Sequence, residues 1–258
     1  MHVLGLATGP GVPADPLADR LAADLPGTVA VVERSAGAGG DPTRYELGPE
    51  GSTVSRPGGD LLGALDDLAR DHDYAVLVGF ADVSVPHVVV GDADAETALV
   101  RVSTPEEVET DAVVRALADR DEHESRQSLV AEVTRAPSAE FAGAVATFTG
   151  IVREREGPGD DRTESLTFEK YEGVAAERLA RIRDELEARD GVHEVRLHHR
   201  TGRIEAGADI VFVVVLAGHR REAFETVADG IDRLKDEVPI FKKELTVEDE
   251  FWTHERGE

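Results

Sequence analysis

Ile210 to Ala217 (IVFVVVLA) is the most apolar run in the chain, and it leaves few structural choices. It falls far short of the ~18 residues that a membrane span requires. It therefore reads as a buried strand, the central one of its domain. The stretch behind it, Gly218 to Glu244 (GHRREAFETVADGIDRLKDEVPIFKKE), sets a His-Arg-Arg cluster at an apparent helix start and three lysines toward its end. The chain holds only four lysines, Lys170, Lys235, Lys242 and Lys243, so three of its four primary amines share this one stretch.

That clustering stands out against 53 acidic and 28 basic residues. A net charge of -25 argues against nucleic acid or an anionic membrane surface as a general partner. The acids run along the whole length and 41% of residues are hydrophobic. The pattern fits a folded, halophilic protein, solvated in high salt where screening weakens self-repulsion. There is no cysteine, which excludes disulfides, thiolate metal sites, cysteine nucleophiles and persulfide carriers. The first residues, MHVLGLATG, lack a basic n-region and a long apolar core. A soluble cytoplasmic protein is expected.

In the first half, His2 to Ala7 reads as a short buried strand, followed by a Gly/Pro-rich turn and a helix from Asp15 to Leu25 with apolar residues at Leu17, Ala18, Leu21 and Leu25. Strand, glycine loop and helix are the setting of a phosphate-binding loop. Such a loop needs a lysine and a hydroxyl, and here Pro13 to Pro16 (PADP) stands in their place, with Asp15 and Asp19 adding negative charge. Further strands are expected at Thr28 to Arg34, Tyr74 to Phe80, His87 to Val90 and Ala98 to Val102, with a hairpin around Thr43 to Leu47. Helices are expected at Gly59 to Arg70, its face formed by Leu61, Leu62, Leu65 and Leu68, and at Thr110 to Asp119. The alternation predicts an α/β domain with a largely parallel sheet over residues 1–120. The charged stretch Ala118 to Ser128 predicts a linker at 121–128.

The remainder, 129–258, reads as an α+β domain. Strands are expected at Gly143 to Val152, Glu164 to Tyr171, Val192 to Arg200 and Asp209 to Ala217, with a charged loop from Arg153 to Arg162. One amphipathic helix is expected at Val174 to Arg189, stopped by Gly191. Another is expected at Glu222 to Val238, with Phe224, Val227, Ile231, Leu234 and Val238 as its buried stripe and Pro239 ending it. After residue 128 there are 19 basic residues, against 9 before it, so an anionic substrate is expected on this second domain. His219 and Arg220 stand where a buried strand hands over to a helix, a place where free N–H groups and the helix dipole favour an anion. Lys235 borders the apolar stripe. Lys242 and Lys243 follow the Pro239 break in extended chain and point to opposite faces. His193, His198 and His199 do not make a metal site, because His198 faces away from the other two and no carboxylate pattern completes a ligand set.

The blocks TFTGIVRE (Thr147 to Glu154), LTFEKYEGVA (Leu166 to Ala175), HRTGRIEAGADIVFVVVLAGHRREAFE (His199 to Glu225) and LKDEVPIFKKE (Leu234 to Glu244) together resemble the large, catalytic subunit of molybdopterin synthase. The first 115 or so residues, with GLATGPG and DYAVLVGFADVSVPHVVVGD, resemble the P-loop adapter of molybdopterin-guanine dinucleotide biosynthesis. That likeness breaks down at the phosphate-binding residues, which implies a degenerate domain that has lost GTPase function.

The first resemblance implies an enzyme, a sulfurtransferase of molybdenum cofactor biosynthesis. Such enzymes convert cyclic pyranopterin monophosphate to the dithiolene of molybdopterin. The sulfur arrives as the C-terminal Gly-Gly thiocarboxylate of a small ubiquitin-like carrier, and the large subunit is a homodimer within a heterotetramer. By motif position Lys235 and Lys242 match the family's active-site lysines. Arg153, His219 and Arg220 match its substrate-anion residues, Lys243 and Glu244 continue the Lys242 block, and Arg256 matches an arginine near the chain's end. No cofactor or metal is implied. A chain without cysteine cannot carry sulfur itself, which agrees with a donor that arrives on a partner. The alternative is a non-catalytic scaffold that docks a ubiquitin-like protein, its lysines serving as acceptors for an isopeptide bond.

Overall fold

The computed structural model describes residues 1–35, 44–48, 51–55, 58–155, 157–246 and 250–253; for 44–48, 51–55, 172, 242–246 and 250–253 it describes the backbone alone. The chain divides into two compact units, Met1–His123 and Glu124–Glu258. That division falls inside the stretch read as a linker, and Arg126–Arg135 already forms a helix of the second unit.

In the first unit the elements are β1 (His2–Thr8), α1 (Asp15–Asp24), β2 (Val29–Glu33), the hairpin β3 (Arg44–Gly48) and β4 (Gly51–Ser55), α2 (Leu61–Leu68), β5 (Tyr74–Val78), β6 (His87–Val90), β7 (Ala98–Val102) and α3 (Thr110–Leu117). Five strands make one all-parallel sheet in the order β2-β5-β1-β6-β7. Both faces are covered, as parallel sheets require. Leu4, Leu6, Val76 and Val88 pack with α1 and α3, while Val3, Ala75 and Leu77 pack with α2. The expected face of α2 needs correction: Leu65 is buried, but Leu62 is exposed.

The first glycine of GLATGPG has a mechanical role. Gly5 lies within β1, and a side-chain carbon there would sit 2.3 Å from the ring of the fully buried His87 on β6. Beyond β1 the turn reaches α1 through Ala14, which provides no side-chain cap, and the first helical turn carries Asp15.

In the second unit the elements are α4 (Arg126–Arg135), β8 (Ala144–Ile151), β9 (Thr163–Lys170), α5 (Glu172–Glu187), β10 (Val192–His199), β11 (Gly202–Glu205), β12 (Asp209–Ala217), α6 (Arg220–Glu237), β13 (Ile240–Thr246) and β14 (Glu250–Thr253). They form two antiparallel sheets, β10-β12-β8 and β11-β9-β13-β14. β12 is central in the first, as its apolar run requires. Its alternate residues serve two cores: Val211, Val213, Val215 and Ala217 pack against α5 and α6, and Phe212, Val214 and Leu216 pack against Leu129 and Val133 of α4.

The sequence pattern predicts no helix at 129–135, yet α4 is the element that covers this second face. Its start is defined by a reciprocal cap: Ser128 N–H donates to Ser125 Oγ at 3.1 Å, and Ser125 N–H donates to Ser128 Oγ at 2.9 Å. In α6 the buried stripe runs Ala223, Thr226, Val227, Gly230, Ile231 and Leu234. Phe224, expected in that stripe, is 66% exposed, because it lies about 100° around the helix from Ala223.

Phe212 fixes the α4 side of the sheet. It is fully buried, His198 stacks on it with centroids 6.3 Å apart, and the Arg200 guanidinium lies 5.2 Å from its ring centre. Phe212→Ala is expected to cost about 3–5 kcal/mol, read as a lower midpoint for unfolding of the second unit in urea.

Candidate functional site

β8, β10 and β12 meet at one level. Val211 of β12 pairs with Gly150 of β8 on one edge and with His199 of β10 on the other. A side-chain carbon at Gly150 would lie 2.5 Å from Val211 Cγ1, so the glycine of TFTGIV is what lets β8 close on β12 there. The ladder shifts register beside this pair, between Asp209 and Val211, and a cavity of about 410 Å³ opens at this level.

The cavity wall mixes apolar and polar surface. Phe148, Leu166, Phe168, Ile210, Leu234 and Ile240 contribute to it. The side chains on it that carry or can carry positive charge are Arg153, Lys235 and His199, and Thr163 adds a buried hydroxyl. Each arrives by a different route. Arg153 stands just past the end of β8. Lys235 lies in the last turn of α6, one position beyond the buried Leu234, and is itself exposed, which places its amine at the rim. His199 ends β10 and is 9% exposed; its Nδ1 is 2.7 Å from the carbonyl oxygen of Arg200, and its ring meets the Phe168 ring edge-on at 4.8 Å.

Position 242 is reached through the second sheet. Ile240 pairs with Lys170 and Lys242 with Phe168, whereas Lys243 pairs with Thr167. Directly opposed residues share a face and successive ones alternate. The backbone thus sets positions 240, 242 and 244 on the face of Phe168 and Leu166, which line the cavity, and position 243 on the other. Arg256 lies outside the described residues.

His219 and Arg220 are not brought to this cavity. His219 is the N-cap of α6 and Arg220 its first residue, and both are exposed. Fifteen helical residues separate Arg220 from Lys235, about 22 Å along the axis. Gly218 to Glu244 is therefore not one wall of a site within a single chain, because a helix holds its two cationic ends apart.

The end of α6 that carries Lys235 is braced to α5. Arg233 Nε donates to Glu237 at 2.7 Å and the Arg233 guanidinium also reaches Glu185, while Arg181 of α5 pairs with Glu237. Among the described residues no group of three or more His, Asp or Glu side chains is placed to hold a metal, and no helix is long and apolar enough to cross a membrane.

Known proteins align with this unit and beyond it. The model of the MoaE protein family matches residues 120–237. A probable molybdopterin synthase of Haloferax volcanii is 49% identical over 264 aligned positions, covering 99% of this chain and 100% of that one. The chain belongs to the molybdopterin synthase family. The molybdopterin synthase catalytic subunit of Pyrococcus abyssi is 40% identical over 115 residues, 45% of this chain and 76% of that protein. A crystal structure of molybdopterin synthase from Staphylococcus aureus is 35% identical, with a TM-score of 0.42, and the match covers 44% of this chain and 82% of that one. The Haloferax relative is thus similar across both units, whereas the MoaE match lies almost wholly in the second.

The brace on α6 carries a pH signature. The hydrogen bond from Arg233, with help from Arg181 and against a smaller effect of burial, holds the Glu237 carboxyl below its ordinary value of 4.5. A depressed carboxylate adds stability that is complete above the unfolded value and is lost as pH falls through the folded one. Wild type and Glu237→Gln are therefore expected to differ in urea midpoint at pH 7 and to converge as the pH drops below 4.5.

Proposed function

We propose that the second unit transfers sulfur from the C-terminal thiocarboxylate of a ubiquitin-like carrier to cyclic pyranopterin monophosphate, forming the dithiolene of molybdopterin. As a member of its family the chain is a catalytic subunit of molybdenum cofactor biosynthesis. The observation that carries the finer reading is the meeting of Arg153 and Lys235, distant in sequence, on one cavity. Cationic side chains converging on one cavity suit a phosphate-bearing pterin and the oxyanion that develops at an attacked carbonyl. Arg153 holds the substrate's anion. Lys235, at the rim, meets the carrier tail and assists transfer. Lys242, at a position on the strand face shared with Phe168, positions the pterin, with Lys243 and Glu244 continuing its segment, and Arg256 is assigned to substrate binding by its place in the family's motif.

His219 and Arg220 enter this reading through a second copy of the chain. They are too far from Lys235 to serve the same cavity, yet they sit exposed at a helix start suited to phosphate. In a homodimer the helix start of one copy completes the cavity of the other, and one carrier docks on each copy. The first unit acts in this account as a phosphate-loop-like scaffold without a nucleotide site. Its support is that Gly5 accommodates His87 and that an aspartate occupies the first turn of α1.

With thiocarboxylated carrier and the pyranopterin precursor, Lys235→Ala is expected to slow dithiolene formation at least ~100-fold. Near-wild-type turnover would refute its role. Mixing Lys235→Ala with Arg220→Ala chains should restore about a quarter of wild-type activity, since half of the dimers are mixed and each of those holds one intact site; two inactive parents that stay inactive when mixed would refute the shared site.

A further inference from the structure

We propose that Arg181 and Glu185 of α5 are positioning residues for the reaction, holding the last turn of α6 so that Lys235 meets the carrier tail; this rests on the sulfur-transfer reading above. α5 and α6 run antiparallel, and their facing residues pair by charge over three successive turns. Arg189 pairs with Asp229, Glu185 with Arg233 at 2.5 Å, and Arg181 with Glu237. Each rung lies four residues from the next on both helices, so the three form one ladder along a single seam. At about 100° per residue, Lys235 stands about 200° around α6 from Arg233, and as far from Glu237. The ladder grips α6 on one side, and Lys235 lines the cavity on the other.

The last turn needs that grip. Leu234 and Lys235 in this turn and Val238 at its cap all line the cavity. Asp236 and Glu237 put two acids at a helix C-terminus, where the dipole disfavours them. Pro239 follows, with no N–H to return to the last carbonyls. The cap bond runs from Val238 N–H to Leu234 O at 3.2 Å.

Glu237 is offset by Arg233 at 2.7 Å within α6 and by Arg181 from α5. The Arg181 and Glu185 rungs also tie this turn to a second helix. Unwound chain rises about 3.3 Å per residue where helix rises about 1.5 Å. Loss of the turn therefore moves Lys235 by more than the ~1 Å that spoils the alignment of a reacting group. Exposed ion pairs add little to global stability, so an effect of the ladder on rate is separable from one on folding.

The test compares full-chain variants in a single turnover with thiocarboxylated carrier and pyranopterin precursor. Arg181→Met combined with Glu185→Gln removes two rungs, leaves the sequence of α6 intact and keeps the net charge. It is expected to lower the rate at saturating carrier ~10-fold, with the half-saturating carrier concentration changed less than ~2-fold. Amide exchange at residues 235–238 should quicken. In a Lys235→Ala background the same two substitutions should change the rate less than ~2-fold, because no amine remains to be positioned. Arg189→Met, which removes the rung farthest from Lys235, should leave the rate unchanged. A wild-type rate in the α5 variant, an equal loss with and without Lys235, or the same loss in Arg189→Met would overturn the proposal. If the double variant fails to fold, Arg181→Met alone is judged by the same coupling to Lys235→Ala. A wild-type enzyme that forms no dithiolene would instead sink the sulfur-transfer reading, and this inference with it.

Discussion

The second unit depends on β12 being satisfied in four directions. Its backbone pairs with β10 on one edge and β8 on the other, α5 and α6 cover one face, and α4 covers the other. A strand in that position has no solvent-facing side, so its sequence is apolar throughout instead of alternating. Its register is strongly specified for the same reason. A slip of one residue would exchange the α4 set, Phe212, Val214 and Leu216, with the α6 set, Val211, Val213 and Val215. Register then becomes chemistry, because Val211 holds Gly150 and His199 at one level and the cavity opens there.

Charge is arranged on this frame by helix length. α6 spans 18 residues, about 27 Å, from Arg220 to Glu237. It carries the exposed His219 and Arg220 at one end and the Lys235 amine beside the cavity at the other. Arg181, Glu185, Arg233 and Glu237 clamp the amine's end to α5. Exposed ion pairs contribute little singly, but this group joins two helices through shared partners and limits how far the last turn can wander.

Much of this architecture was legible in the sequence. The parallel sheet of the first unit followed from strands alternating with helices, and the central place of β12 followed from its apolar run. The rest has definite physical causes. Phe224 reads as part of the buried stripe of α6 because it is large and apolar, yet the phase of the helix belongs to Ala223, and size does not reveal phase. Leu62 misleads in the same way. α4 does not show in the sequence because its buried face is only Leu129, Val133 and a capping serine, too sparse to show a helical period amid charged neighbours. Nothing local to HHRTG tells that a ring from β9 and a carbonyl from the next residue meet the His199 ring.

The sequence by itself determined the succession of strands and helices, the lack of any cysteine to carry sulfur, and the gathering of scarce amines behind one buried strand. All of these are properties of residue type and short-range period. The tertiary structure alone decided which basic side chains share a cavity: Arg153, Lys235 and His199 line it, while His219 and Arg220 do not. The reason is geometric. Neighbours along the chain are separated by the rise of a helix, whereas residues far apart in sequence are joined by strand pairing, and neither distance is encoded in the identity of the residues themselves.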